Sequence, residues 1–453
     1  MKRLSVLVAG VLVLSASWAR AQGGDMEARL KALEERQRAL EQENWVLKGE
    51  IEKLKAPAAA AKKDPGMTGY WKDALRLKSD DGAHDVALRA RAMFHNRTFT
   101  TENRNNDTFY WKEIGLQASG TIYKDYEYDV FGIFDAESAR LNDGYLGWKK
   151  YPWLTLRVGQ FKPSISEETL RSAPNADFAE NSPMSRLVPS RDLGIQLGGE
   201  YWDKRIEYQV GVFNGTGLAN RDDNDSKDVV WRLVLKPFAT SDDKWTKGIR
   251  LGGAMTYGEQ KRTFGNLSDP ASGTTFLTMQ SNVRNRQERL RWNVEGAWLA
   301  GPFKLAGEAT WMDLVLARGA ALGTTGTAVE EDIAFGSYYV EGLWVATGED
   351  ATLGRRKPAK NLLSDDGGIG LVEVAFRFSQ FWVDDEIFAS GFARGDRSTD
   401  GYDQYMIGGN WWFNPNTRFT VDFFYNDWWN PISINSQFEK DEAGFLTRFQ
   451  IDF

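Results

Sequence analysis

The chain has 453 residues, 42% hydrophobic, 26% charged and 13% aromatic, with 18 Trp, 44 Gly and no Cys. A net charge of -7 argues against nucleic acid as a partner, and beyond the N-terminus no apolar run is long enough for a membrane helix. Mean hydropathy is only -0.48 despite the aromatic content, a pairing expected where alternate residues alone meet lipid, as in an outer-membrane β-barrel.

The first residues read as an export signal. Lys2 and Arg3 precede an apolar run over 4–18, and Ala19 and Ala21 put small side chains at the cleavage positions. That stretch is too short to span a bilayer for good, so residues 1–21 are expected to be a secretory signal peptide, with a buried N-terminal helix as the weaker alternative. Residues 22–55 are expected to form a periplasmic coiled coil. Leu30, Leu33, Gln37, Leu40, Asn44, Leu47, Ile51 and Leu54 alternate steps of three and four, the spacing of a and d positions. Leu fills every d position, while Gln37 and Asn44 at a weaken the seam and fix its register. About four heptads is near the minimum for independent association, so the segment should assist an assembly made elsewhere. A single solvated helix is the alternative. Pro, Ala and Lys over 56–69 make a linker without an apolar face.

From residue 70 the period is two. In 86–94 the apolar side chains share one face and Arg89 and Arg91 take the other; Ile114/Leu116/Ala118, Leu154/Leu156/Val158, Leu193/Ile195/Leu197, Leu290/Trp292/Val294 and Phe419/Val421/Phe423 repeat the pattern. Aromatic residues gather at segment ends, as in Trp148, Tyr151 and Trp153, Tyr201 and Trp202, Trp411 and Trp412, Trp428 and Trp429, where a lipid–water boundary suits them. Tight turns such as Gly301-Pro302 and Asn414-Pro415-Asn416 are expected on one rim. Long polar connections near 98–108, 162–190, 215–228, 259–288, 348–367, 391–401 and 427–442 are expected on the other. About seventeen candidate strands can be counted, and an even number is required. The expected fold is therefore all-β, a transmembrane antiparallel β-barrel of 16 or 18 strands over residues 70–453. The apolar ladder Phe445, Phe449, Ile451, Phe453 closes the chain as barrel strands do when they present an edge for strand addition.

Three kinds of stretch carry a family resemblance. Val158-Gly159-Gln160-Phe161-Lys162-Pro163, Phe178-Ala179-Glu180 and Val188-Pro189-Ser190-Arg191-Asp192-Leu193-Gly194-Ile195-Gln196 form a central segment. Ala346-Thr347-Gly348-Glu349 and Gly409-Asn410-Trp411-Trp412-Phe413-Asn414-Pro415-Asn416 follow, then the closing Arg448-Phe449-Gln450-Ile451-Asp452-Phe453. In this order they resemble the phosphate-selective porin O and P family, and the coiled coil lies outside the match. The resemblance implies a 16-stranded barrel, a homotrimer, and a channel for phosphate and related inorganic anions or small solutes. Where the family usually follows its Phe-x-Glu with Arg, this chain has Asn181.

So wide a barrel needs a constriction. The Pro-punctuated connection 162–190 is too long for a simple hairpin and is expected to fold inward, with an ordinary outer loop as the alternative. Strand parity points Arg89, Arg91, Arg157, Arg232, Lys236, Arg250, Arg289, Arg291, Arg377 and Arg448 into the lumen, with Glu113, Glu200, Glu295, Glu341 and Glu373 on the same side. The candidate anion-binding residues are Arg89, Arg91, Arg157, Lys162, Arg171, Arg186, Arg191, Arg232, Arg289 and Arg291, because Arg forks match phosphate oxygens and fixed positive charge concentrates anions. For any one Arg the alternative is a wall residue paired with a nearby Glu. Asp222-Asp223-Asn224-Asp225 lacks the Gly and terminal Glu of a calcium loop and reads as solvated, so no metal or other cofactor is expected.

An enzyme is not expected: His84 and His95 are the only histidines, and no nucleophile elbow, zinc spacing or phosphate loop appears. The reading is an outer-membrane porin for passive diffusion, bathed in outer-membrane lipid. The alternative is a structural envelope protein, its barrel occluded and its coil in contact with the cell wall.

Overall fold

A computed structural model describes residues 25–55, 66–101, 105–134, 139–218, 222, 224–319 and 329–453. The expected signal peptide and residues 56–65 of the expected linker lie outside the described residues. One long helix, α1 (Asp25–Lys55), precedes the sheet. Its Glu, Lys, Arg, Leu and Ala content favours helix, and Gln37 donates to Glu41 one turn on at 3.1 Å. Leu30, Leu33, Leu40, Leu47 and Ile51 are all exposed on it. No helix among the described residues is long and apolar enough to cross a membrane.

The unit Gly66–Phe453 is built separately from α1. Its first strands are β1 (Met67–Trp71), β2 (Leu75–Ser79), β3 (Asp85–Phe99), β4 (Thr108–Ile122) and β5 (Tyr126–Phe134). Then come β6 (Ala139–Tyr151), β7 (Leu154–Phe161), β8 (Asp192–Tyr201), β9 (Ile206–Phe213), β10 (Asp228–Leu235) and β11 (Arg250–Gln260). A short pair, β12 (Leu267–Ser268) and β13 (Thr275–Leu277), stands apart. The chain ends with β14 (Arg284–Ala300), β15 (Phe303–Arg318), β16 (Val329–Val345), β17 (Leu371–Val383), β18 (Gly401–Asn414), β19 (Thr417–Ile434) and β20 (Gln437–Asp452). Each ring strand pairs antiparallel with the next, and β20 returns to β3 with Phe449 opposite Phe94. Closure leaves no free edge along the ring.

The closed ring holds sixteen strands, β3–β11 and β14–β20. The 18-strand option is wrong for a definite reason. β20 stops at Asp452 opposite Arg91, and the β1–β2 hairpin takes up the unpaired end of β3 beyond it, with Leu75 opposite Leu88. The hairpin lengthens the wall locally without entering the ring, and Met67 to Gly69 of the expected linker belong to it.

Two other expectations fail. Residues 427–442 are not a long loop: β19 and β20 continue through them to a tight turn at Asn435 and Ser436, with φ of 49° and 67°. A register shift between Asp427 and Ile432 accommodates Pro431, and strands standing clear of lipid tolerate polar residues on both faces. The long connection 346–370 leaves the rim that carries the chain's C-terminus, because β16 runs toward that rim and β17 away from it. The Trp pairs also split. Trp411 and Trp429 are 39% and 42% exposed on the outside, while Trp412 and Trp428 are wholly buried inside, as neighbours on a pleated strand must be.

The barrel interior is unevenly filled. On the β14–β19 side, Phe276 and Leu277 of β13 pack with Met312, Leu314, Phe335, Phe381, Tyr402 and Trp428 of the wall. The connection 384–400, with α3 (Glu386–Ala389), adds Ile387, Phe392 and Ala393 to the same core.

Candidate functional site

After β7, Pro163 and α2 (Glu167–Leu170) turn the chain inward. Ser166 caps this turn by accepting from Thr169 N, and wall carboxylates meet its first amides: Glu295 accepts from Glu167 N at 3.1 Å and Glu308 from Glu168 N at 2.6 Å. Negative charge at a helix start is favourable there.

Wall side chains then hold nearly every carbonyl of 173–180. Arg448 donates to Ala173 O (3.3 Å) and also to Ala179 O, Gln450 to Pro174 O (3.2 Å), and Arg418 to Ala176 O (2.6 Å). Asn410 donates to Asp177 O at 2.7 Å, and both terminal nitrogens of Arg377 reach Glu180 O at 3.2 Å. Phe178 lies under Arg377, 4.6 Å from guanidinium to ring centre. Gly408 admits that ring, since a Cβ there would stand 3.0 Å from it.

Asp177 is the electrostatic centre of the segment. Arg171 lies 2.5 Å away, and Lys304 and Arg356 also bond to its carboxylate. Lys304 is shared with Glu341 at 2.7 Å and Arg356 with Glu373 at 3.0 Å, so three cations face three carboxylates. Burial works to raise the Asp177 pKa, but Lys304, Arg171 and Arg356 together hold it well below the ordinary carboxylate range. Arg356 comes from the 346–370 connection and donates to Asn175 O at 2.6 Å, so chain from both rims meets inside the barrel.

Against this filled mass stands a cavity of about 1100 Å3 walled by β3–β7 and by the inward segment. Arg91, Arg97, Lys112, Arg140, Arg157, Lys162, Arg171, Arg186, Arg191 and Arg448 line it, against Glu113, Asp129, Asp143, Glu180 and Asp269. Cations outnumber carboxylates two to one. Below it, toward the C-terminal rim, a second cavity of about 220 Å3 holds Arg76, Arg89 and Lys149. Asp129 and Tyr145 line both, so they stand between the two.

Several lining cations are paired. Arg91 meets Glu113 at 3.2 Å, Arg157 meets Glu127 at 2.9 Å, and Arg191 meets Asp143 at 3.2 Å. Lys112 reaches both oxygens of Glu180 at 2.7 and 2.6 Å. Among the described residues others donate only to neutral oxygens: Arg186 to Ser268 O (2.7 Å), Arg97 to Tyr110 Oη (3.3 Å) and Pro270 O (3.5 Å), and Lys162 to Thr169 O and Arg171 O (2.6 and 2.9 Å). Arg448 Nε donates to His95 Nε2 at 2.7 Å, which fixes that ring nitrogen as an acceptor.

The ten residues singled out from sequence thus separate. Arg91, Arg157, Lys162, Arg171, Arg186 and Arg191 share the large cavity, and Arg89 sits in the lower one, donating to Ser119 Oγ at 2.7 Å. Arg289 and Arg291 line a third recess of about 580 Å3. Arg232 lines none of the three: its side chain is 2% exposed and enclosed by Glu167, Glu207 and Glu295. Sequence reasoning passed over Arg97, which continues the parity of Arg89 and Arg91. Lys112 was harder to find, because a bulge between Met93 and Phe94 breaks the register opposite Glu113 and Trp111.

Among the described residues no group of three or more His, Cys, Asp or Glu is placed to hold a metal. A family model described as phosphate-selective porin O and P matches residues 86–453. Porin O of Pseudomonas aeruginosa is 22% identical over 393 residues, covering 78% of this chain and 84% of that protein. Among solved structures, OmpT of Vibrio cholerae superposes with a TM-score of 0.50 at 10% identity, covering 83% of this chain and 99% of its own. OprB of Pseudomonas putida gives 0.50 at 11% identity, covering 82% and 95%. These structural likenesses concern the fold.

Proposed function

The chain belongs to the phosphate-selective porin O and P family, an outer-membrane porin family, and from that premise we propose a route. Small solutes diffuse passively along the β3–β7 side of the lumen, and anions such as phosphate pass preferentially. One observation carries this reading: the large cation-rich cavity and the lower one share Asp129 and Tyr145 in their linings, which makes that pair the neck of the route. Segment 162–191 is the constriction. Arg97 and Arg186 supply positive charge that no carboxylate pairs with among the described residues, and Arg89 continues it below the neck. The Glu and Asp partners of Arg91, Arg157 and Arg191 keep those sites weak, and conduction needs sites that release what they bind.

The finer picture extends to assembly. A cleaved signal peptide exports the chain, α1 stands in the periplasm, and its open Leu seam supports a coiled coil between copies of a homotrimer, within reach of the cell wall. Outward Leu, Val, Ile and Phe on the barrel meet outer-membrane lipid. The filled β14–β19 side favours a second reading, an occluded barrel that tethers the envelope. Planar-bilayer recording separates the two. The porin gives stepwise currents and an anion-selective reversal potential in a salt gradient. A cation-selective sign removes the anion preference, and no current at all favours the tether.

A further inference from the structure

Where the two cavities of the proposed route meet, the wall changes character. The upper cavity carries two cations for each carboxylate, but in the rows that join it to the lower one Arg157 and Lys149 meet Glu127 and Asp129. Register sets these groups side by side. Asp129 lies opposite Tyr145 across β5 and β6. In the next row toward the C-terminal rim Glu127 lies opposite Gly147, and Arg157 of β7 stands on the far side of that glycine.

The missing side chain at 147 decides how this row is built. Glu127 lies across the bare backbone of Gly147, so close that a Cβ there would stand 2.6 Å from its Cγ. Over that bridge its carboxylate accepts from Arg157 Nε at 2.9 Å, and Lys149, the next inward residue of β6, approaches the other oxygen at 3.4 Å. Arg157 is held a second time, its guanidinium 4.9 Å from the centre of the Tyr145 ring. The carboxylate is the covered member of the group. Its side chain is 14% exposed, against 43% for Arg157 and 39% for Lys149, so solute meets the two cations and not the residue that restrains them.

We infer, resting on the route proposed above, that Glu127 seated on Gly147 sets the bore and the charge of the neck. Laid flat, the Arg157–Glu127–Lys149 group leaves the passage between the cavities open. A side chain at 147 lifts Glu127 toward the lumen and takes Arg157 with it. The carboxylate also offsets the two cations, so an ion gathered above is let go downward and not retained. An arginine freed from this pair reaches into the passage on a flexible stem and holds the ion with its fork.

Planar-bilayer recording of the full chain in potassium chloride tests this. Glu127→Gln is expected to move the reversal potential further toward anions and to make the current saturate at a lower chloride concentration, because the freed cations keep their ion longer. Gly147→Ala is expected to lower single-channel conductance. In a Glu127→Ala background the same glycine substitution is expected to cost no further conductance, since nothing remains to be lifted; a glycine needed only for folding shows no such rescue. Where Gly147→Ala does not assemble, the Glu127→Gln reversal potential decides alone. Wild-type records from Glu127→Gln and Gly147→Ala overturn the inference, and so does a Gly147→Ala loss that persists in full beside Glu127→Ala. Failure of the route reads differently. If a negatively charged thiol reagent leaves Ser119→Cys unblocked, the route falls and the neck with it, whereas a blocked Ser119→Cys beside silent Glu127 and Gly147 variants removes this inference alone.

Discussion

On the β3–β7 side of the lumen, Arg97 and Arg186 look onto open space. On the opposite side, Arg377 and Arg418 look onto peptide carbonyls, and the lumen there is filled by Phe276, Phe381, Tyr402 and Trp428. Arg97, Arg377 and Arg418 obey the same inward parity, yet the first keeps its charge available to solute and the other two fasten a loop. What separates them is the apolar packing around them: a guanidinium inside a core must be satisfied by backbone, whereas one on a wet wall keeps water as its alternative partner.

Substitutions test that division most sharply at Asp177. Asp177→Asn leaves Arg171, Lys304 and Arg356 without their common partner, and removing one member of a buried ion network costs about 3–5 kcal/mol. Thermal unfolding in detergent should shift down clearly, and an unchanged midpoint would remove Asp177 from the centre of the fastening. Next comes Arg448→Gln, which frees the carbonyls of Ala173 and Ala179 at about 1–3 kcal/mol each. Single-channel records should become noisier, with larger open currents as the inward segment loosens; steady wild-type currents would contradict the fastening role.

On the wet side the order reverses. Arg97→Gln combined with Arg186→Gln should move the reversal potential toward cations while altering stability by no more than about 0.5 kcal/mol. A large stability loss there would erase the contrast between the two sides. Glu180→Gln, which releases Lys112, should shift the potential slightly the other way. The smallest effect is expected from pH. Asp177 has a folded pKa below its unfolded value, so its contribution is complete above the unfolded value of about 4 and is lost only as pH falls through the lower folded value. Unfolding midpoints of wild type and Asp177→Asn should therefore keep a constant separation between pH 8 and 5.

Alternation made the barrel legible, and with it the inward placement of Arg89, Arg91, Arg157 and Arg291. Parity alone says which face a residue takes and not what awaits it there. Arg232 and Arg377 share that parity, and only tertiary packing put carboxylates around the first and Glu180 O beside the second. Trp412 and Trp428 were misread for a related reason: an aromatic residue at a strand end suits a lipid boundary or a plugged interior equally. Lys112 depends on a bulge, which no local composition announces. The 346–370 connection looks like any long polar loop until the count of strands before it assigns its rim.

The chain's lack of Cys permits one direct measurement of where solute passes. Single cysteines at Ser190 and Ser119 sit in the upper and lower cavities, and at Ser337 and Thr310 on the wholly buried, filled side. A negatively charged thiol reagent added during bilayer recording should lower the current of Ser190→Cys and Ser119→Cys and leave Ser337→Cys and Thr310→Cys unaffected. Block confined to the latter pair would place the route on the wrong side of the barrel.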